Sequence, residues 1–196
     1  MPGMQTVHAT ARYQRAIEAI IELLGKLNLG FAFVGNVARA AWLNEPVADG
    51  SLDVLVLMNA QQKNQLVMMA SNHGFGVDRD ALERSEELDL IPLTLSDSEG
   101  ELRIHVLLAS NALYGRMLAD ARPAEVNGHP IKVPAPEALA ILLTLAEDEM
   151  SRQALMARQD FDHDAFKERL VSIGLGRVVG TASARCADGP ANGGER

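Results

Sequence analysis

Hydrophobic positions along the chain alternate between helical and strand spacing. From Ala11 to Asn28, Ile17, Ile20, Ile21, Leu24 and Leu27 recur three and four apart, predicting an amphipathic helix with Gly30 placed to end it. Phe31 to Val34 is a short apolar run that predicts a buried strand, and Val37 to Leu43 a short helix. Leu52 to Met58 is apolar throughout except for Asp53, the pattern of a strand buried on both faces. Ala60 to His73 returns to helix, stopped by Gly74, and Phe75 to Val77 predicts a short strand. Arg79 to Glu87 is a charged connection whose acids read as a solvated face.

The second half begins with a hairpin. Leu88 to Leu95 and Glu101 to Leu108 are β-rich runs that meet across Ser96-Asp-Ser-Glu-Gly100. Ala109 to Ala121 predicts a helix. Glu125 to Val133 holds Asn127-Gly128 between short extended runs, the signature of a type I′ turn and a second hairpin. Pro134 and Pro136 open a long helix expected from Pro136 to Ala157, since proline is favoured in a first helical turn. A last helix is expected from Phe161 to Ile173, with Gly174 as its stop. From Thr181 the chain is small, polar and Gly-rich, a composition that cannot offset the entropy of ordering. The expected organisation is a core over residues 1–123, a small hairpin with C-terminal helices over 124–175, and a disordered tail over 176–196. The fold class is α/β, or α+β by strict layering: a small mixed sheet flanked by helices, with a C-terminal helical segment.

Composition narrows the function. Hydrophobic residues make up 47% of the chain, enough for a substantial core. Acidic residues number 26 and basic ones 18, for a formal charge of −8. No Lys/Arg cluster relieves that balance, so general nucleic-acid binding, which rests on displacing counterions from phosphate, is not expected. Cys186 is the single cysteine, which excludes a disulfide framework within the chain and a thiolate zinc site. Met1 to Thr10 has no secretory pattern, and no apolar run approaches the ~20 residues of a membrane span. A reducing cytoplasm is therefore the expected location, with no membrane contact.

Candidate chemistry gathers around one segment, Phe31-Ala-Phe-Val-Gly-Asn-Val-Ala-Arg-Ala-Ala-Trp42, followed by Ser51-Leu-Asp-Val-Leu-Val56. It reads as strand, Gly turn, helix, loop and strand. Gly35 and Asn36 could offer backbone N–H groups to a phosphate at a helix start, or form only a tight turn with Asn36 as N-cap. Asp53, alone in an apolar strand, needs a partner: a metal, a cation or backbone donors. His105 could pair with Asp53 as a structural histidine or join it at a transition metal. Asp49, in the loop before that strand, is a further candidate ligand. Asp160, Asp162, His163 and Asp164 crowd the start of the last helix, where acids also suit the helix dipole. Met68 and Met69 read as core filler.

The order of these elements resembles the nucleotidyltransferase-like superfamily across residues 11–173, as in minimal nucleotidyltransferases and abortive-infection toxins. Asn72-His-Gly-Phe75, Val126-Asn-Gly-His-Pro-Ile-Lys-Val133 and Pro136-Glu-Ala-Leu139 resemble later pieces of the same pattern. The resemblance implies a Gly-Gly or Gly-Ser turn that binds phosphate and an Asp-x-Asp strand whose i and i+2 carboxylates share a face and bind magnesium. Here the turn is Gly35-Asn36, and Ser51 stands where the first Asp is expected. Asp53 matches the second, and His105 falls where a third acid comes from the neighbouring strand. An expected Arg and Thr fall on Val47 and Asp49, and an expected Lys falls on Leu143.

The implied cofactor is Mg²⁺ or another divalent metal if the chain is active, with Asp53, His105 and Asp49 as its candidate ligands. Gly35, Asn36 and Ser51 are the candidate nucleotide contacts. So few matching carboxylates point away from catalysis and toward a binding or regulatory module, with a nucleotide or a protein as its partner. Two readings stay open beside it. One is an active transferase of toxin–antitoxin or abortive-infection type, acting on a protein or RNA end. The other is a purely structural domain.

Overall fold

A computed structural model describes residues 5–77, 82–83, 89–98 and 100–175 of the chain. Most of the charged connection expected at Arg79–Glu87, and the whole of the expected tail, lie outside the described residues.

The described elements run β1 (Gln5–Val7), α1 (Ala11–Lys26), β2 (Gly30–Phe33), α2 (Gly35–Leu43), β3 (Leu52–Leu57), α3 (Ala60–Ala70), β4 (Phe75–Gly76), β5 (Leu90–Asp97), β6 (Gly100–Leu108), α4 (Ala112–Ala119), β7 (Arg122–Val126), β8 (His129–Val133), α5 (Pro136–Leu145), α6 (Glu149–Met156) and α7 (His163–Ser172). The α/β class holds, with helices flanking mixed sheets.

Five strands form one sheet in the order β2-β3-β6-β5-β4. β3 is antiparallel to β2 and parallel to β6, and β5 and β6 form the expected antiparallel hairpin. The strands predicted around residues 31–34, 52–58 and 101–108 therefore lie side by side. A second, three-stranded sheet has the order β1-β7-β8. Its β7–β8 turn carries Asn127 at φ 47° and Gly128 at φ 88°, the two positive values a type I′ turn requires. Its first strand, β1, pairs in parallel with β7 and has no counterpart in the sequence reading. The division expected at 123/124 falls within β7.

Local chemistry explains the helix limits. Thr10 caps α1 by accepting from the Tyr13 N–H, and the helix buries Tyr13, Ala16, Ile17, Ile20, Leu23 and Leu24. Ile21 and Leu27 fall at the edge of that stripe, half-buried. Asn59 and Gln62 form a reciprocal capping box at the start of α3. The long helix expected from Pro136 to Ala157 is instead two helices. Glu147 takes a left-handed backbone at φ 57°, and Asp148 then caps α6 by accepting from the Ser151 N–H at 3.1 Å. An Asp three residues before a serine was a restart signal inside an otherwise continuous helical pattern.

The alternation along β3 and β6 determines where polar groups can stand. Leu52, Val54 and Val56 with Leu102, Ile104 and Val106 face the main core. The opposite face has an apolar end, where Leu55 and Leu107 pack with Val34, Met117 and Ala138. By the same alternation, Ser51 and Asp53, with Glu101, Arg103 and His105, occupy the other end of that face.

Candidate functional site

The polar end of the sheet is built around a cross-strand pair. Asp53 and His105 are register partners in the parallel β3–β6 ladder. His105 Nδ1 lies 2.8 Å from Asp53 Oδ1. An ionised carboxylate can only accept, so the ring donates its Nδ1–H. The side chains are 35% and 21% exposed, so solvent weakens the pair without abolishing it.

Gly35 fits against the same carboxylate. Its backbone has φ +55°, and a Cβ built there would lie 2.4 Å from Asp53 Oδ2. Both facts require glycine. The N-cap of α2 is Val34, with no side-chain cap, so Asn36 is not the N-cap its position suggested. The Asn36 side chain lies instead beside Gly50, where an added Cβ would meet Asn36 Nδ2 at 2.9 Å.

Next to this pair opens a cavity of about 650 Å³, lined by Thr10, Arg12 and Tyr13 from the start of α1, Asp49, Gly50 and Ser51 from the loop before β3, and Glu101, Leu102, Arg103 and His105 from β6. Of the sequence candidates, Asp49, Ser51 and His105 reach its wall. Asp53, Gly35 and Asn36 do not.

Tyr13 holds the loop in place by donating from its hydroxyl to the Gly50 carbonyl at 2.6 Å. Burial raises its phenol above the ordinary value, and the nearby Asp49 carboxylate adds to the shift. The phenol therefore stays protonated and able to donate. Arg12 and Arg103 complete the wall. Neither they nor Tyr13 were singled out as functional from the sequence. The available signal was weak: two polar residues in the first turn of an amphipathic helix, and one arginine on the polar side of a strand.

The donor set does not fit a pair of magnesium ions. Asp53 and His105 are already bonded to each other, imidazole is a poor ligand for a hard cation, and Ser51 brings no charge. Among the described residues, no three His, Cys, Asp or Glu side chains gather where they could hold a metal, so Asp49 does not complete a group with the pair.

The acidic cluster before α7 is engaged in folding. Asp160 takes a two-point bond from Arg158, and Asp162 caps α7 through the N–H groups of Asp164 and Ala165. His163 packs against Phe161, and Asp164 pairs with Lys167. Among the described residues no helix is long and apolar enough to cross a membrane.

No protein-family model matches the chain, and no curated protein matches it in sequence. Among solved structures it is similar to an antigenic nucleotidyltransferase-like protein from Paracoccidioides brasiliensis, with a TM-score of 0.49 and 12% identity over 90% of this chain and 94% of that one. It is similar to the lincosamide antibiotic adenylyltransferase LnuA with lincomycin bound, with a TM-score of 0.48 and 11% identity over 76% of this chain and 98% of that one. The solution structure of the antibiotic-resistance factor ANT(2'')-Ia gives a TM-score of 0.49 and 13% identity over 90% and 96%. At these scores and identities the likenesses bear on neither substrate nor activity.

Proposed function

We propose that the chain is a nucleotidyltransferase-like protein that binds a nucleotide, or docks a protein partner, without performing metal-dependent nucleotidyl transfer. The reading is supported by the order of elements, from the strand, Gly turn and helix of β2–α2 to the acidic strand β3 beside the β5–β6 hairpin. One observation carries the functional half: the carboxylate at the expected metal position, Asp53, is bonded to His105 at 2.8 Å and seated against Gly35. Two-metal transfer needs several carboxylates to hold two dications beside a triphosphate. Here a histidine occupies the third position and a serine the first. Mg²⁺ or another divalent ion would serve only an active form, with Asp53, His105 and Asp49 as its candidate ligands. In the binding module, Gly35, Asn36 and Ser51 are the proposed contacts to phosphate.

Incubation with each labelled nucleoside triphosphate, Mg²⁺ or Mn²⁺ and cell extract tests the catalytic half. The expected result is no labelled protein or RNA. Label transfer that disappears in Asp53→Ala would establish the active transferase instead. A thermal-shift screen tests the binding half. Nucleotide at 100 times Kd stabilises the folded state by about 2.7 kcal/mol, and no shift with any nucleotide would leave the protein-docking or purely structural reading.

A further inference from the structure

The turn between β7 and β8 reaches across the molecule. Asn127 holds φ 47° there, a value that glycine would supply equally well. The turn alone therefore does not need an amide side chain. Yet both N–H donors of that amide and its oxygen are engaged, with partners more than a hundred residues away. Asn127 Oδ1 accepts from the Ala9 N–H at 3.3 Å. Asn127 Nδ2 donates to the Ala9 carbonyl at 2.9 Å and to Gln14 Oε1 at 3.1 Å. The Asn127 backbone N–H donates to the Val7 carbonyl at 3.1 Å. The side chain thus extends the β1–β7 ladder past its last pair, Val7 with Val126, onto the junction with α1. From β8, His129 Nε2 meets Glu18 Oε1 at 2.8 Å, and Gln14 donates to the same oxygen at 2.9 Å.

Much of the cleft wall hangs on that junction. The His8 carbonyl accepts from the Val47 N–H at 3.0 Å, in the loop that goes on to Asp49, Gly50 and Ser51. Thr10 follows Ala9 and caps α1 on the Tyr13 N–H. The Tyr13 hydroxyl then returns to the Gly50 carbonyl at 2.6 Å. The first turn of α1 and this loop supply Thr10, Arg12, Tyr13, Asp49, Gly50 and Ser51 to the wall, and β6 supplies the rest.

We propose that the β7–β8 turn is a strap that sets the wall of the cleft formed by α1 and the 47–51 loop, with Asn127 as its positioning residue. The proposal goes beyond the binding reading and holds whatever the cleft receives. It makes the second sheet a place from which the cleft can be controlled. A partner or a substitution that lifts the turn off residues 7–9 loosens the start of α1 and the loop together. An asparagine that served the turn alone would leave both in place.

Tyr13 is the reporter for the test. It is 3% exposed, its hydroxyl is bonded, and burial raises its phenol above the ordinary value. Tetranitromethane attacks an accessible phenolate, so it reaches Tyr13 through local opening. Tyr114, the other tyrosine of the chain, is half-buried on α4 and serves as the internal reference. The full chain is treated at pH 8, and nitration at each tyrosine is followed by peptide mass. Wild type is compared with Asn127→Gly, which keeps the positive φ and removes the amide. Asn127→Asp keeps the acceptor for the Ala9 N–H but loses the donor. Leu170→Val, in the buried face of α7, lowers stability elsewhere by removing one methylene.

Asn127→Gly should speed nitration of Tyr13 by about fivefold, the factor for losing one ordinary hydrogen bond, with Tyr114 unchanged. Asn127→Asp should fall between that variant and wild type, and it carries the comparison if Asn127→Gly does not fold. Leu170→Val should lower the urea midpoint while the ratio of Tyr13 to Tyr114 nitration stays at the wild-type value. Tyr13 nitration unchanged by loss of the amide would overturn the proposal. Acceleration in Leu170→Val as large as in Asn127→Gly would also overturn it, since Tyr13 would then report overall stability alone.

Discussion

Gly35→Ala is the sharpest probe of how the site is built. Two separate costs arise at this position. The backbone sits at φ +55°, where an L side chain loses about 1–2 kcal/mol. The new Cβ would also lie 2.4 Å from Asp53 Oδ2, a contact that cannot persist. The obstructing atom is a carboxylate fixed by His105, so relief means moving Asp53 and loosening the 2.8 Å bond. A hydrogen bond to a charged group is worth about 1.5–3 kcal/mol. The pair is partly solvated, so the lower end applies. The expected destabilisation is thus about 2–4 kcal/mol, measured by urea unfolding with circular dichroism and Trp42 fluorescence. Repeating the change in an Asp53→Ala background separates the two costs, because only the backbone term should remain, about 1–2 kcal/mol. Equal costs in the two backgrounds would refute the argument that the glycine is required by the carboxylate. So would a loss below about 0.5 kcal/mol in the wild-type background, the range of a neutral surface change.

Tyr13→Phe should cost about 1 kcal/mol by removing the hydroxyl that holds the Gly50 carbonyl. The raised phenol value gives stability that is fully present below the unfolded value of about 10 and is lost as pH rises through the folded value, so the alkaline decline of wild type should be shallower in the variant when unfolding is followed above pH 9. Ser51→Asp combined with His105→Asp would place three acids at the polar end of the sheet. Their repulsion should destabilise the metal-free protein, and Mg²⁺ or Mn²⁺ should restore thermal stability far more in the double variant than in wild type. Equal metal responses would mean that positions 51, 53 and 105 do not converge on one point.

Much of this architecture could be read from the sequence wherever a residue type has one structural meaning. Asn127-Gly128 predicted its turn because both residues had to take positive φ, and they do. The pairing of Asp53 with His105 followed from the family resemblance, which implied that the 88–108 hairpin docks beside β3, together with counting by twos along each strand. The break before α6 was hidden because Glu147, a good helix former, takes the left-handed backbone that ends α5. β1 could not be foreseen: a three-residue strand has almost no local pattern, and its parallel partner β7 lies more than a hundred residues away. The cavity wall was equally hidden. Periodicity identifies the buried stripe of α1 but does not say that its first turn closes on the loop before β3. Only the assembled fold brings Arg12 and Tyr13 to Ser51 and Arg103.

That wall bears directly on what the cleft can bind. Asp53, the residue that matches the expected metal position, is not on it, and its bond with His105 and fit against Gly35 account for it structurally. A motif match at Asp53 is thus explained by packing alone and says little about activity. The ionised groups that a ligand meets are Arg12 and Arg103 on one side of the balance and Asp49 and Glu101 on the other, two of each sign. A site for two magnesium ions needs a surplus of carboxylates, since each dication must be neutralised before a triphosphate approaches. The proposed loss of metal-dependent transfer rests on the lack of such a surplus on this wall. At the Tyr13 hydroxyl on that wall, the Asp49 and Asp53 carboxylates raise the phenol value more than Arg12 lowers it, so the acids are felt in the cleft despite their exposure to solvent.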